Sequence, residues 1–256
     1  MTLHSLLPSG ISATALLALM AVGFVSSVAR GFSGFGSALI FMPLASAVID
    51  PRVVAPLLLI IDFFAAAPLI PNAWRKADRN AVALMAAGAA VGVPLGTYAL
   101  TRLDPVTTRW IIAAFVFALL ALLITGWRYH GRAHPAATTS VGAVSGFCSG
   151  LAQTGGPPVV AYWLGQPLTS AVARANIVLF FAISDVFSVG SYLAGGLLTA
   201  DVIKLALLTG PIYGLGLFIG AQLFGIASET LFRRTCYSLI ALAAVAGLPA
   251  LDSVLR

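Results

Sequence analysis

The sequence predicts an all-α integral membrane protein made of two inverted repeats, with about eight full spans and one broken or re-entrant helical arm in each half. Three observations predict it: an apolar composition, a repeat relating the two halves, and one glycine-rich interruption in each. Of 256 residues, 60% are hydrophobic and 9% charged, and the mean hydropathy is +1.01. A soluble domain carries about a quarter charged residues. Too few charges are present to cover a soluble surface, so lipid is the expected solvent. A span takes roughly 20 apolar residues, which leaves room for about eight to ten spans and none for a soluble domain.

The apolar segments of the first half run over about 11–29, 35–49, 53–72, 80–101 and 107–127. Those of the second half run over about 137–152, 156–168, 172–198, 202–226 and 232–250. No Lys or Arg precedes the first segment, so the positive region of a signal peptide is missing and a membrane helix is expected from about Ile11. The second segment of each half is short and marked by Gly and Pro. It reads as a returning arm or half of a broken helix, packed inside protein, because backbone that is not helical cannot face hydrocarbon. The third segments hold the carboxylates Asp62 and Asp185. The fourth carry glycines four apart, Gly88, Gly92 and Gly96 in one half and Gly216 and Gly220 in the other. These, with Gly142, Gly146 and Gly150, are expected to let helices pack closely.

Shifted by 119 positions, Val22, Gly23, Val25, Ser26, Gly31 and Gly36 fall on Val141, Gly142, Val144, Ser145, Gly150 and Gly155, six identities in fifteen positions. With small gaps, Gly92, Gly96 and Arg109 correspond to Gly216, Gly220 and Arg233. The repeats divide as 1–130 and 131–256 of one transmembrane domain. If they are inverted, Arg75, Lys76, Arg79, Arg128, Arg132, Arg174, Arg233 and Arg234 share one face, and Arg52, Arg102, Arg109, Lys204 and Arg256 the other. Parallel repeats divide the cations almost evenly. The positive-inside rule favours the lopsided division, with both termini outside the cytoplasm.

Inverted repeats with an interrupted helix in each half mark the binding site of a secondary transporter. A helix that starts inside the membrane offers unpaired N–H groups and a partial positive charge, which suit an anion. The stretch from Ser33 through Gly34, Phe35, Gly36 and Ser37 is one such start, and Gln153, Thr154, Gly155 and Gly156 form the other. Pro157 and Pro158 suit a first helical turn. The expected site is one anion held between the two breaks at the midplane.

The stretches "GFSGFGSALIFMPL" and "GFCSGLAQTGGPPVVAYWL", with the later "GVPLGTYALTRL" and "GLGLFIGAQLF", resemble the sulfite exporter TauE/SafE family over nearly the whole chain. The first half departs from that family's frequent triple glycine, since Ser37 and Ala38 follow Gly36. The resemblance implies export or uptake of sulfite, thiosulfate, organosulfonates or related anions across a bacterial inner membrane. It also implies an Arg-Ala pair, here Arg174 and Ala175.

Arg30 and Arg174 are the cations nearest the breaks and, with Asn176, join the expected substrate contacts. An intramembrane carboxylate costs about 3 kcal/mol on insertion scales, so Asp62 and Asp185 are expected to couple transport to protons. Trp74, Trp127 and Tyr129 read as interfacial anchors, and Tyr162 and Trp163 as cavity lining or core. Cys148 and Cys236 lie far apart and read as small buried hydrophobes. The formal charge of +6 resides at helix ends, so no nucleic-acid partner is expected; the partners are a small anion and the bilayer, and a homodimer is allowed. No metal or cofactor is expected. A carboxylate carrier on the same fold is the alternative. A membrane-embedded enzyme is disfavoured, because His4, His130 and His134 lie in terminal or loop sequence and no HExxH occurs.

Overall fold

The computed structural model describes residues 11–33, 36–129, 131, 134–223 and 229–252. Among these there is no strand. The helices are α1 (Ala13–Ser33), α2 (Ser37–Val48), α3 (Pro51–Ala66), α4 (Ile70–Lys76), α5 (Arg79–Arg102), α6 (Pro105–Thr125), α7 (Pro135–Ala152), α8 (Gly156–Trp163), α9 (Ser170–Ala194), α10 (Ala200–Leu223) and α11 (Glu229–Ala246). A 3-10 turn over Ala67–Leu69 joins α3 to α4 into one stretch. Both halves thus read long, short, long, long, long.

Local chemistry sets these boundaries. Three helices begin on proline, whose missing N–H is lost without penalty in a first turn. Asp104 precedes α6 and its Oδ1 accepts from the Thr107 N–H at 2.9 Å. Hydrogen bonds from the Thr107 side chain and backbone hold this carboxyl below the usual carboxylate range. Asp78 caps α5 through the Ala81 N–H, and Thr169 caps α9 through the Val172 N–H. His134 caps α7, its Nδ1 accepting from Ala136.

Among the described residues six stretches are long and apolar enough to cross a membrane: α1, α3 with α4, α5, α6, α9 and α10. Of the other expected spans, α7 has 18 residues rich in Gly, Ser and Thr, and α11 likewise has 18. The short arms α2 and α8, with 12 and 8 residues, reach about 18 and 12 Å at 1.5 Å per residue, against a core of about 30 Å.

The chain forms two compact units, and each draws helices from both halves of the sequence. One comprises Met1–Ile61, Leu103–Leu120 and Gly196–Arg256. Within it α1 packs on α10: Gly31 abuts the backbone of Leu217 and Ala221, Gly216 that of Phe24, and Gly220 that of Val28. The partners rise together along both helices, so the pair is parallel. The same unit contains an ion pair between a buried arginine and a partly exposed aspartate. Arg109 in α6 donates from Nη1 and Nη2 to the two carboxylate oxygens of Asp252 at 2.6 and 2.8 Å, and Nη2 also donates to the Gly247 carbonyl at 3.1 Å. This fork fastens the end of α11 to the start of α6.

The other unit comprises Asp62–Arg102 and Ala121–Gly195. Its central contact is α5 on α7, again parallel. Gly88, Gly92 and Gly96 meet the backbone at Thr139, Ala143 and Phe147, while Gly142, Gly146 and Gly150 meet it at Met85, Ala89 and Val93. A Cβ at any of the six would enter the facing backbone, so these glycines serve helix contact, as their spacing predicts. Val82, Met85, Val93, Val159, Tyr162 and Phe180 belong to the core of this unit. Tyr162 and Trp163 are buried in it, and the Tyr162 hydroxyl meets Thr138 Oγ1 at 2.5 Å. Trp74 and Trp127 are exposed, as anchors should be, whereas Tyr129 stacks on Tyr162 with ring centroids 5.2 Å apart. Cys148 and Cys236 are buried free thiols.

Candidate functional site

The second break is built by the end of α7, the start of α8 and one side chain of α9. Gln153 ends α7 in the left-handed region, with φ 55°, the one positive φ outside glycine among the described residues. Its N–H returns to the Ser149 carbonyl at 2.8 Å. In a continuing helix the Thr154 N–H bonds the Gly150 carbonyl. Here it turns to the Cys148 carbonyl at 3.2 Å, and the Tyr192 hydroxyl donates to the vacated Gly150 carbonyl at 3.0 Å. That hydroxyl in turn accepts from Gln153 Nε2 at 3.1 Å. Tyr192 has no solvent exposure, so an unmet polar group here has no water to fall back on. A bond from Ser145 Oγ to the Gly155 carbonyl at 2.7 Å fixes the other side of the turn.

The two glycines of this break do different things. A Cβ on Gly155 would strike Ser145 and Ser149, so this position keeps the turn pressed on α7. A Cβ on Gly156 would meet nothing within 4 Å. Helix α8 starts there with no side-chain cap, followed by Pro157 and Pro158. The Gly156 N–H has no partner within the helix, and Pro157 and Pro158 carry no N–H. Thr154 is buried, its Oγ1 donating to the Cys148 carbonyl at 3.4 Å.

The first break lies in the other unit. Helix α1 ends at Ser33, whose side chain, like Gly34 and Phe35, is outside the described residues. Gly36 has φ 93°, a region that side-chain-bearing residues rarely adopt, and caps α2 without a side-chain bond. Ser37 opens α2 and is buried. Both short arms therefore begin on a glycine cap: in α2 the Leu39 N–H returns to the Gly36 carbonyl at 3.1 Å, leaving the Ser37 and Ala38 N–H groups without a helical partner, and in α8 that of Gly156 is left so.

The remaining expected residues lie on α1, α3 and α9. Asn176 is fully buried, its Oδ1 accepting from the Asp78 N–H at 2.8 Å and its Nδ2 without a partner. Arg174, two residues earlier on α9, is exposed and lines a groove with Asn72 and Lys76. Arg30 is partly buried in the last turn of α1, Asp62 partly buried in α3 and Asp185 partly buried in α9.

Sequence reasoning passed over Tyr192 and over the link from Ser145 to Gly155. A signal existed for Tyr192. Asn176, Phe180, Ser184, Ser188 and Tyr192 recur every four residues and are all buried, so one face of α9 carries a polar stripe into the protein. Among the described residues no three His, Cys, Asp or Glu side chains converge on a metal position.

Breaks with uncapped helix starts inside apolar sequence are the observation that the family comparison completes. Residues 19–247 match the pattern of the family described as sulfite exporter TauE/SafE. The chain belongs to the sulfite exporter TauE/SafE family. No curated protein and no solved structure matches it. TauE/SafE proteins are membrane transporters of sulfite-type anions. Membership together with six membrane-capable helices makes this a multi-pass membrane protein of a transporter family. Both breaks and the glycine-ridged helices fall within the matched residues.

Proposed function

We propose that the protein is a secondary carrier, working as an exporter, of a small sulfur-containing anion such as sulfite, thiosulfate or an organosulfonate, and that the backbone of the two helix breaks binds it. The observation that carries this reading is the start of α8: glycine at the cap, open space over Gly156, and a Gly156 N–H with no partner inside the helix, ahead of two prolines that carry none. Donors alone, with no acceptor among them, select a negative charge. The Gly36–Ser37 start of α2 repeats the pattern. The proposed substrate contacts are Ser33 to Ser37 and Gln153 to Gly156, and the proposed proton carrier is Asp185, beside Ser184 and Ser188, with Asp62 as its counterpart.

The reading includes inverted repeats in a bacterial inner membrane with both termini outside the cytoplasm. Supporting it, each compact unit pairs the first helix of one half with the fourth helix of the other, in parallel. That exchange is what two repeats related by a two-fold axis produce.

Purified protein in vesicles tests the function directly. Sulfite or thiosulfate, loaded inside, should leave vesicles containing the protein faster than protein-free ones, and acetate should leave no faster than leakage. Equal flux of acetate would make the protein a carboxylate carrier. No flux of any anion would remove the carrier reading.

A further inference from the structure

A groove of about 390 Å³ runs between α4 and the first turns of α9, within one compact unit. Asn72, Lys76 and Arg174 supply its polar lining, while Leu69, Val178 and three alanines supply an apolar one. No acidic side chain lines it, and neither Lys76 nor Arg174 ends in an ion pair among the described residues. Two uncompensated cations beside an apolar wall are an unusual surface for a soluble face. They suit the rim of a bilayer, and the position agrees: α4 ends an apolar stretch that begins at Pro51. Trp74, half exposed, lies on the same short helix with the Arg79 guanidinium over its ring at 5.4 Å. Tryptophan with Lys and Arg at a helix end marks the headgroup level.

We propose that this groove binds an anionic phospholipid, with the headgroup phosphate held by Lys76 and Arg174, aided by Asn72, and an acyl chain laid along Leu69 and Val178. A zwitterionic lipid brings its own cation to a site that already holds two. A small free anion leaves the apolar wall wet. Only a lipid with net negative charge satisfies both halves of the groove. The proposal does not depend on which anion the protein transports, and it gives Arg174 a lipid partner in place of the transported anion expected from sequence.

Native mass spectrometry of the intact protein, delipidated and titrated with phosphatidylglycerol or phosphatidylcholine of identical chains, tests it. Each basic residue near an anionic headgroup contributes on the scale that makes the wild-type preference for phosphatidylglycerol about thirtyfold for two. Lys76→Gln with Arg174→Gln should bring the two lipids to near parity, with the melting temperature in phosphatidylcholine unchanged. Lys76→Arg with Arg174→Lys, which preserves charge, should keep the preference. Equal binding of the two lipids by wild type, or an unchanged preference in the double Gln variant, overturns the proposal. So does displacement of phosphatidylglycerol by equimolar glycerol phosphate or sulfite, since the groove would then hold a small anion and not a lipid.

Discussion

Replacing Tyr192 by phenylalanine removes one oxygen and keeps the ring that fills the space between α9 and α7. Two groups lose their partner at once: the Gly150 carbonyl, bonded at 3.0 Å, and Gln153 Nε2, bonded at 3.1 Å. Gly150 is buried, so its carbonyl stays unmet, at a cost of about 1–3 kcal/mol. Gln153 is partly exposed and its amide recovers some hydration. Side-chain bonds between membrane helices average only about 0.6 kcal/mol, which argues against the upper end of that range and places the total at about 2 kcal/mol. Because a continuing helix would satisfy the same carbonyl from the Thr154 N–H, this free energy bears on the choice between broken and continuous helix. A shift of that size changes the population ratio by about thirtyfold. Tyr192→Phe is therefore expected to insert normally and to melt within a few degrees of wild type, while its affinity for anion falls by about tenfold or more. Equilibrium binding in detergent and the KM of flux in vesicles both measure it. Gln153→Leu, which deletes the amide, should show a coupling of about 0.5 kcal/mol or more with Tyr192→Phe in a double-mutant cycle. Wild-type anion affinity in Tyr192→Phe would refute the claim that this hydroxyl holds the break open, and so would strict additivity of the two changes.

Other expected outcomes separate fold from site. Gly92→Val drives a side chain into the Ala143 backbone and should lower yield of folded protein or its melting temperature, consistent with overpacking costs of about 1–3 kcal/mol or more, whereas Gly156→Val meets open space and should fold yet bind anion poorly. Arg109→Ala removes the fork to Asp252 and the bond to the Gly247 carbonyl and should destabilise by about 1–3 kcal/mol, less than a fully buried pair because Asp252 is partly exposed, read as a lower denaturation midpoint, with Arg109→Lys recovering only part. Asp185→Asn should retain anion binding but abolish the response of flux to an imposed pH gradient; unchanged pH dependence would make Asp185 structural. Cysteines placed at the exposed positions Asn80 and Val106 should label from opposite sides of intact cells, with little background because both native cysteines are buried.

The sequence alone determined the solvent and the sequence of elements. Its charge content leaves lipid as the only medium for so much apolar surface, and hydrophobic length with Gly and Pro then sets most segment ends to within a few residues of the helices, although the expected segment 53–72 runs across the end of α3 and stops inside α4. It also determined which glycines pack helices, since a four-residue spacing puts them on one face whatever that face meets. Which helix supplies the partner was a tertiary decision: that Gly92 meets Ala143 and Gly216 meets Phe24 depends on an exchange of helices between halves that no local pattern encodes. The split between Gly155 and Gly156 was equally out of reach, because two adjacent glycines differ only in what surrounds them. Arg174 and Asn176 look like one polar cluster in sequence, but on a helix a step of two residues turns through about 200°. One consequently faces a groove and the other is sealed inside. Tyr192 is the sharpest case, for its hydroxyl acts on a carbonyl 42 residues away. A hydrogen bond of that separation exists only once packing has brought the end of α7 against α9.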